Sequence, residues 1–232
     1  MTRRKLNPAD TLRQSVRTQY QQVYRLYNYG SRLERFQNMN HILLSKSRSN
    51  IHVKNTLEFG FGSGEHIRYE RKLPSSCYYA IDLEKTSFAL DPDFDSRFNF
   101  SVMSIEKLEF SSSKFQRVIG TCVLHHVDDV LASLFEIRRV LAPGGEFRVV
   151  IPTDPGLMNQ TLKRLLLYPR LRKLIEIDPK LIYSIEHKNH IGAILAQIEH
   201  VFQDDNLQIT YWPTKVPSWN LNLLALVSVI KN

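Results

Sequence analysis

Three glycines two residues apart, Gly60, Gly62 and Gly64, follow directly on an apolar run over residues 51–57, in the stretch N-T-L-E-F-G-F-G-S-G. Branched residues at Ile51, Val53 and Thr56 give the run strand character, so the pattern predicts a strand feeding a tight turn. Glycine permits positive φ there and lets a ligand reach main-chain atoms that a Cβ would shield. Glu58, two residues before the first glycine, bears on which ligand that is. A carboxylate would repel the pyrophosphate of a dinucleotide, and G-x-G-x-G departs from the G-x-G-x-x-G of dinucleotide sites. It suits a cation instead, and S-adenosylmethionine carries both an ammonium and a sulfonium. Taken alone, the loop has a plain strand-to-helix turn as its alternative.

A second strand, C-Y-Y-A-I over residues 77–81, ends on Asp82. An acid at the tip of the strand after a Gly-rich loop accepts hydrogen bonds from ribose hydroxyls, and it is expected about 20 residues beyond the glycines. Asp82 meets that spacing. Histidine titrates near neutral pH and is suited to taking a proton from an alcohol. Four histidines stand where they could do so: His125 and His126 in V-L-H-H-V-D-D, and His187 and His190 in E-H-K-N-H. For each, a structural hydrogen bond is the alternative role.

The elements that must position these residues alternate. Leu12, Val16, Tyr20, Val23 and Tyr27 recur at helical spacing, which predicts a helix over residues 10–29 ending near Gly30. A second helix carries Leu33, Phe36, Met39, Ile42 and Leu43. The tyrosines Tyr20, Tyr24, Tyr27 and Tyr29 are either packing or the lining of a pocket. After the glycine loop the pattern gives a helix before Pro74, strands at 77–82, 98–103 and 115–122, a helix at 128–141 stopped by Pro143, Gly144 and Gly145, and a fifth strand at 147–151. Such alternation predicts a parallel sheet covered on both faces, with ligands at the carboxyl ends of the strands. Residues 157–190 read as a basic helical lid broken by Pro169 and Pro179. Ile191, Ile194, Leu195, Ile198 and Phe202 give a further helix, and residues 207–212 and 221–231 a final pair of strands.

The chain has 232 residues, an apolar fraction of 43% and a net charge of +8, which predicts one domain of ordinary globular composition. The excess charge sits in residues 1–50, where ten Lys or Arg face two acids, while the remainder is balanced. A segment of that kind suits an anionic partner such as a phosphate, a nucleic acid or an acidic membrane face, or is simply a solvated helical face. Cys77 and Cys122 have no C-x-x-C or matching histidine spacing, so neither a zinc site nor a disulfide framework is indicated, and no metal is expected. The longest apolar run, residues 221–230, is too short to span a bilayer, and the polar start is unlike a signal peptide. A cytoplasmic location is the expectation.

N-T-L-E-F-G-F-G-S-G, Y-Y-A-I-D-L, V-L-H-H-V-D-D and I-R-R-V-L-A-P-G-G-E-F, in that order over residues 51–152, resemble the successive motifs of class I S-adenosylmethionine-dependent methyltransferases of the type-11, ubiquinone-pathway-like group. The resemblance implies a doubly wound, Rossmann-like α/β sheet of seven strands. It would be mostly parallel with an antiparallel C-terminal hairpin over 204–232, a cofactor core over 51–152 and a helical lid over 153–203, all in a single domain of residues 1–232. It also implies that Glu58, Gly60, Gly62 and Gly64 surround the methionine part of the cofactor and that Asp82 holds the ribose, with Leu83 beside it as a further cofactor-binding residue. Ser104 and Ile105 would flank adenine, and Thr121 and Cys122 would lie along the cofactor. Many relatives carry an acid where Ser104 stands; a hydroxyl accepts the adenine amino group more weakly. The family commonly keeps a histidine at His126 whatever the substrate, which weakens its reading as a dedicated base; His190 is the second candidate.

Amino-group methylases of nucleic acids typically carry Asn-Pro-Pro-Tyr after strand four, and here the tip reads T-C-V-L-H-H. This favours O-methylation of a small hydroxyl compound, sugar-like or anionic. E-H-K-N-H and P-S-W-N-L-N-L are similar to segments of methyltransferases encoded with bacterial surface-polysaccharide pathways, and a phosphate- or nucleotide-bearing sugar would fit a basic lid. The basic N-terminal segment keeps an RNA methyltransferase open as the alternative within enzymes, and a non-catalytic S-adenosylmethionine-binding protein stands as the alternative outside them.

Overall fold

A computed structural model describes residues 7–28, 34–46, 52–70, 77–85 and 98–232. Arg3, Arg4, Lys5, Tyr29, Gly30, Arg32, Leu33, Arg48, Ile51 and Pro74 lie outside the described residues, as do the side chains of Tyr24, Arg25, Tyr27, Arg35 and Phe36, so the pocket role of those tyrosines and most of the N-terminal charge have no structural account.

Two helices, Pro8–Asn28 (α1) and Glu34–Ser45 (α2), precede Asn55–Phe59 (β1), Ile67–Glu70 (α3), Cys77–Asp82 (β2) and Phe98–Val102 (β3). Phe115–Thr121 (β4), Val130–Val140 (α4) and Leu141–Pro152 (β5) complete the core. The strands form one sheet in the order β3-β2-β1-β4-β5 followed by Leu224–Ile230 (β7) and Asn206–Trp212 (β6). The first five are parallel, and β7 runs antiparallel to both β5 and β6. The doubly wound, seven-stranded expectation holds. Strand order reverses between β1 and β4, so the loops leaving them diverge and open a crevice at their carboxyl ends.

The sheet is buried on both faces because its strands alternate. Leu57 and Phe59 of β1 enter one core with Val118, Phe147 and the helical residues Leu134 and Ile194. Ile119, Tyr78, Ala80 and Leu44 of α2 build a second on the opposite face. Two buried arginines fasten α2 there. Arg117 of β4 donates to Leu44 O at 3.0 Å and Arg148 of β5 to Leu43 O at 2.7 Å, satisfying carbonyls that the end of a helix leaves open. Arg117 also pairs with Glu70, whose other oxygen meets His66 Nε2 at 2.8 Å.

Among the boundaries that differ from the sequence reading, three stand out. β1 begins at Asn55, because register with β2 runs from Asn55 opposite Cys77 to Phe59 opposite Ile81. β5 begins at Leu141, which pairs with Phe115 ahead of the Pro-Gly-Gly irregularity, so the glycines lie within the strand rather than before it. In the lid, Leu157–Leu162 (α5), a π-helical turn at Lys163–Leu167 and Tyr168–Leu171 (α6) run on without a break at Pro169. Tyr168 N–H bonds back to Lys163 O, and this wider turn accommodates a residue that has no N–H to give. Pro179 does open a new helix, Pro179–Glu186 (α7), which is followed by Ile191–Val201 (α8).

Candidate active site

The glycine loop is left-handed at Gly60, Gly62 and Gly64, with φ of +66°, +56° and +79°. A Cβ on Gly60 would come within 2.3 Å of Val123 Cγ2, so this glycine lets the loops after β1 and β4 approach. The loop is tied to the end of β2 twice: Phe61 N–H donates to Ile81 O at 3.2 Å and Gly62 N–H to Asp82 Oδ2 at 2.9 Å. Asp82 Oδ1 accepts from Glu84 N–H at 3.2 Å. Its carboxylate is thereby fixed beside the loop, and each oxygen keeps a lone pair for a ligand hydroxyl.

Glu58 does not face the loop. Alternation along β1 turns it to the α2 face, where it is 2% exposed and accepts a hydrogen bond from Tyr78 Oη at 2.6 Å. Burial pushes its pKa up to about 8, with Glu70 and Glu65 adding to the rise against Tyr78 and Arg117. The carboxyl is protonated at neutral pH and braces the strand beneath the loop, in place of the cation contact that the sequence suggests.

Around the crevice, Leu83 just beyond β2 and Val102 at the end of the neighbouring β3 are 67% and 58% exposed, two apolar side chains held in solvent where a flat ring could lie. Ile105 is buried in the core that the first face of the sheet builds, while Ser104 Oγ accepts from Glu106 N–H at 3.2 Å and so uses one of its lone pairs internally. At the tip of β4, Thr121 Oγ1 is buried with no hydrogen-bond partner, an orphan that points to an absent ligand. Cys122 follows with φ of 52°, and burial pushes its thiol up to about 12, so it is held as the thiol at neutral pH.

The lid meets this tip through Asn189, whose side chain donates to Val127 O at 2.8 Å and Leu124 O at 3.4 Å while its N–H donates to His125 O. That staple brings three histidines together. Ring centroids of His125 and His126 are 4.0 Å apart, of His125 and His187 4.4 Å, and of His126 and His187 5.1 Å. His126 Nδ1 donates to Glu186 O at 2.8 Å, and its Nε2 lies 3.4 Å from the hydroxyl of Tyr20 on α1. Burial and the neighbouring His187 push the His126 pKa down to about 4. His187 Nδ1 faces Asp154 Oδ2 at 3.2 Å, and Asp154 also pairs with Lys163. Burial alone would raise the Asp154 pKa, but His187 and Lys163 hold it below the carboxylate range.

His190 stands apart from this group. It caps α8, its Nδ1 accepting from Ala193 N–H at 3.3 Å, and it is exposed. With His187, Arg164, Lys180, Tyr168 and Tyr183 it lines a cleft of about 320 Å³ in the lid. Sequence reading pointed to the basic segment and to Tyr20 as packing or pocket lining, but not to Asp154, which reaches the histidines only through the fold. Nor could it single out His187, which lies far along the chain from its partners in the cluster.

Residues 57–149 match the family model of the methyltransferase domain. The chain carries a methyltransferase domain. The cofactor that goes with this domain is S-adenosylmethionine. A reducing polyketide synthase of Preussia isomera is 30% identical over 113 residues, which are 44% of this chain and 5% of that protein. Among solved structures, a possible histamine N-methyltransferase from Thermotoga maritima aligns over 94% of this chain and 98% of its own at a TM-score of 0.60 and 13% identity. The YcgJ protein of Bacillus subtilis aligns over 84% and 99% at 0.58 and 18%. Phosphoethanolamine N-methyltransferase 2 of Haemonchus contortus, solved with S-adenosylmethionine, aligns over 84% and 52% at 0.57 and 14%. At such identities the likeness is one of fold. The crevice fits the cofactor on its own terms, with a carboxylate at Asp82, an exposed apolar pair at Leu83 and Val102, and the unpartnered Thr121 hydroxyl.

Proposed function

We propose that the protein transfers a methyl group from S-adenosylmethionine to an oxygen of a small, anionic hydroxyl compound, one bearing a phosphate or a phosphorylated sugar. The observation that carries this reading is the lid cleft beside the β4 tip, into which Arg164 and Lys180 project without an ion-pair partner among the described residues.

When bound, the cofactor supplies a methyl carbon on a sulfonium, open to in-line displacement by an acceptor oxygen. The chain's share is placement. Gly60, Gly62 and Gly64 let the ligand approach the backbone, Asp82 holds the ribose hydroxyls, and Leu83, Ser104 and Ile105 bound the adenine. Thr121 and Cys122 lie along the path to the acceptor. Arg164 and Lys180 bind the acceptor's anion, and α1 closes the crevice from above, with Gln19 Oε1 accepting from Glu176 and Ile177 N–H and Arg17 pairing with Glu84. The acceptor's proton goes to a histidine. His126 keeps a lone pair on Nε2 because its Nδ1–H is committed to Glu186 O, whereas His190 gives its Nδ1 lone pair to Ala193 and offers Nε2–H to the cleft as a donor.

Labelled methyl transfer to a panel of hydroxyl compounds, with and without phosphate, and to total RNA tests the reading. Transfer to phosphate-bearing members, reduced at least ~10-fold by Arg164→Ala together with Lys180→Ala, is expected from the loss of charge-assisted hydrogen bonds. Transfer to RNA alone, or to uncharged compounds with no effect of those substitutions, would overturn it.

A further inference from the structure

The lid and the β4 tip place three imidazoles where no sequence spacing connects them. One nitrogen from each of His125, His126 and His187 lies within 4.8 Å of the others. Two of the three are oriented from behind. His126 Nδ1–H is held by Glu186 O and His187 Nδ1–H by Asp154, which leaves both rings presenting an Nε2 lone pair. His125 is 5% exposed and its Nδ1 has no hydrogen-bond partner. Three imidazoles, one buried and two partly buried, thus face one another with the Tyr20 hydroxyl 3.4 Å from His126 Nε2, and a cation would take a lone pair from each ring at once. A carboxylate and a carbonyl behind the ligating rings are the outer partners that metal-binding histidines ordinarily have.

We propose that His125, His126 and His187 form a binding site for a single divalent transition-metal ion, Zn²⁺ being the one that three neutral imidazoles suit best, at the inner end of the lid cleft with an open position toward it. Burial holds all three histidines below their ordinary pKa, so they are neutral and ready to ligate at pH 7. Lys163 and Lys188 are nearby opposing charges, paired with Asp154 and Asp128 respectively. An ion there joins the α7–α8 connection to the β4 tip and takes up His126 Nε2, so a bound metal and a free-base role for His126 exclude one another. The site does not rest on the methyl-transfer reading.

The untagged full chain, stripped of metal by chelation and dialysis, is titrated with Co²⁺ and followed by its visible ligand-field absorption. One saturable equivalent with the strong bands of a low-coordinate site is expected, displaced by Zn²⁺. Half-buried His187→Gln should abolish the bands, Asp154→Asn should weaken affinity about 10–100-fold while keeping them, and exposed His52→Gln should change neither. Absence of a saturable equivalent, or full binding in His187→Gln, would overturn the site. S-adenosylmethionine binding measured on the same samples separates the two readings: a chain that binds the cofactor but no Co²⁺ loses the metal site alone, and one that binds Co²⁺ but no cofactor loses the other.

Discussion

Asp82 Oδ2 accepts the N–H of Gly62 at 2.9 Å, joining the end of β2 to the middle of the glycine loop across 20 residues of chain. One carboxylate thus shapes the loop while each of its oxygens keeps a lone pair. Its position also sets the order in which substitutions around the crevice should hurt.

Gly60 is the least replaceable of the three glycines. Its φ of +66°, and the 2.3 Å at which a Cβ on it would meet Val123, combine a left-handed backbone with a clash against the β4 tip. Gly60→Ala should lower unfolding free energy by about 1–3 kcal/mol and weaken S-adenosylmethionine binding in parallel. Chemical denaturation and calorimetric titration check both, and wild-type values for the pair would refute the loop's role in bringing β1 and β4 together.

Glu58 gives a pH signature opposite in sign to that of most carboxylates. Its folded pKa is raised to about 8, so folding favours the protonated form, and the stability this provides is lost as pH rises from the unfolded value toward 8. Between pH 6.5 and 8, Glu58→Gln should flatten the decline by at most about 1.4 kcal/mol per pH unit. Because the side chain points away from the ligand, the same variant should bind S-adenosylmethionine nearly as well as wild type. An unchanged pH slope, or a cofactor affinity lost as badly as in an Asp82 variant, contradicts the inward placement.

Two histidines contribute on the acid side, above the range in which the depressed carboxylates protonate. His126 is depressed to about 4 and His41, beside His66 and Arg68, to about 3, so each favours the neutral folded form. Stability should fall as pH drops from 6.5 toward 4, where the unfolded chain takes up protons that the folded one refuses. His126→Gln should make that fall shallower, measured as denaturation midpoints at successive pH values. A slope equal to wild type would place His126 in solvent.

What the sequence made legible was local or periodic. Strand alternation and glycine spacing located the loop, Asp82 at the following strand tip and a parallel sheet with its ligand end at the strands' carboxyl termini. Relations between distant segments were not legible. Nothing in the spacing of Tyr20 and His126, 106 residues apart, announces that α1 covers the β4 tip, and Asp154 reads as an ordinary turn residue until the lid folds His187 onto it. The direction of Glu58 was misjudged because a motif fixes a position in the chain, whereas the strand's two-residue period fixes the face. Pro169 misled for a related reason: a π turn absorbs its missing donor, and that turn has no sequence signature.

The most direct test of the account is the affinity of the full chain for S-adenosylmethionine, measured calorimetrically for wild type and for Asp82→Ala. Removing two charge-assisted hydrogen bonds to the ribose, and the brace to Gly62, should weaken binding about 10–100-fold or more with the fold intact by circular dichroism. Equal affinity in the two proteins would contradict the assignment of the crevice as the methyl-donor site.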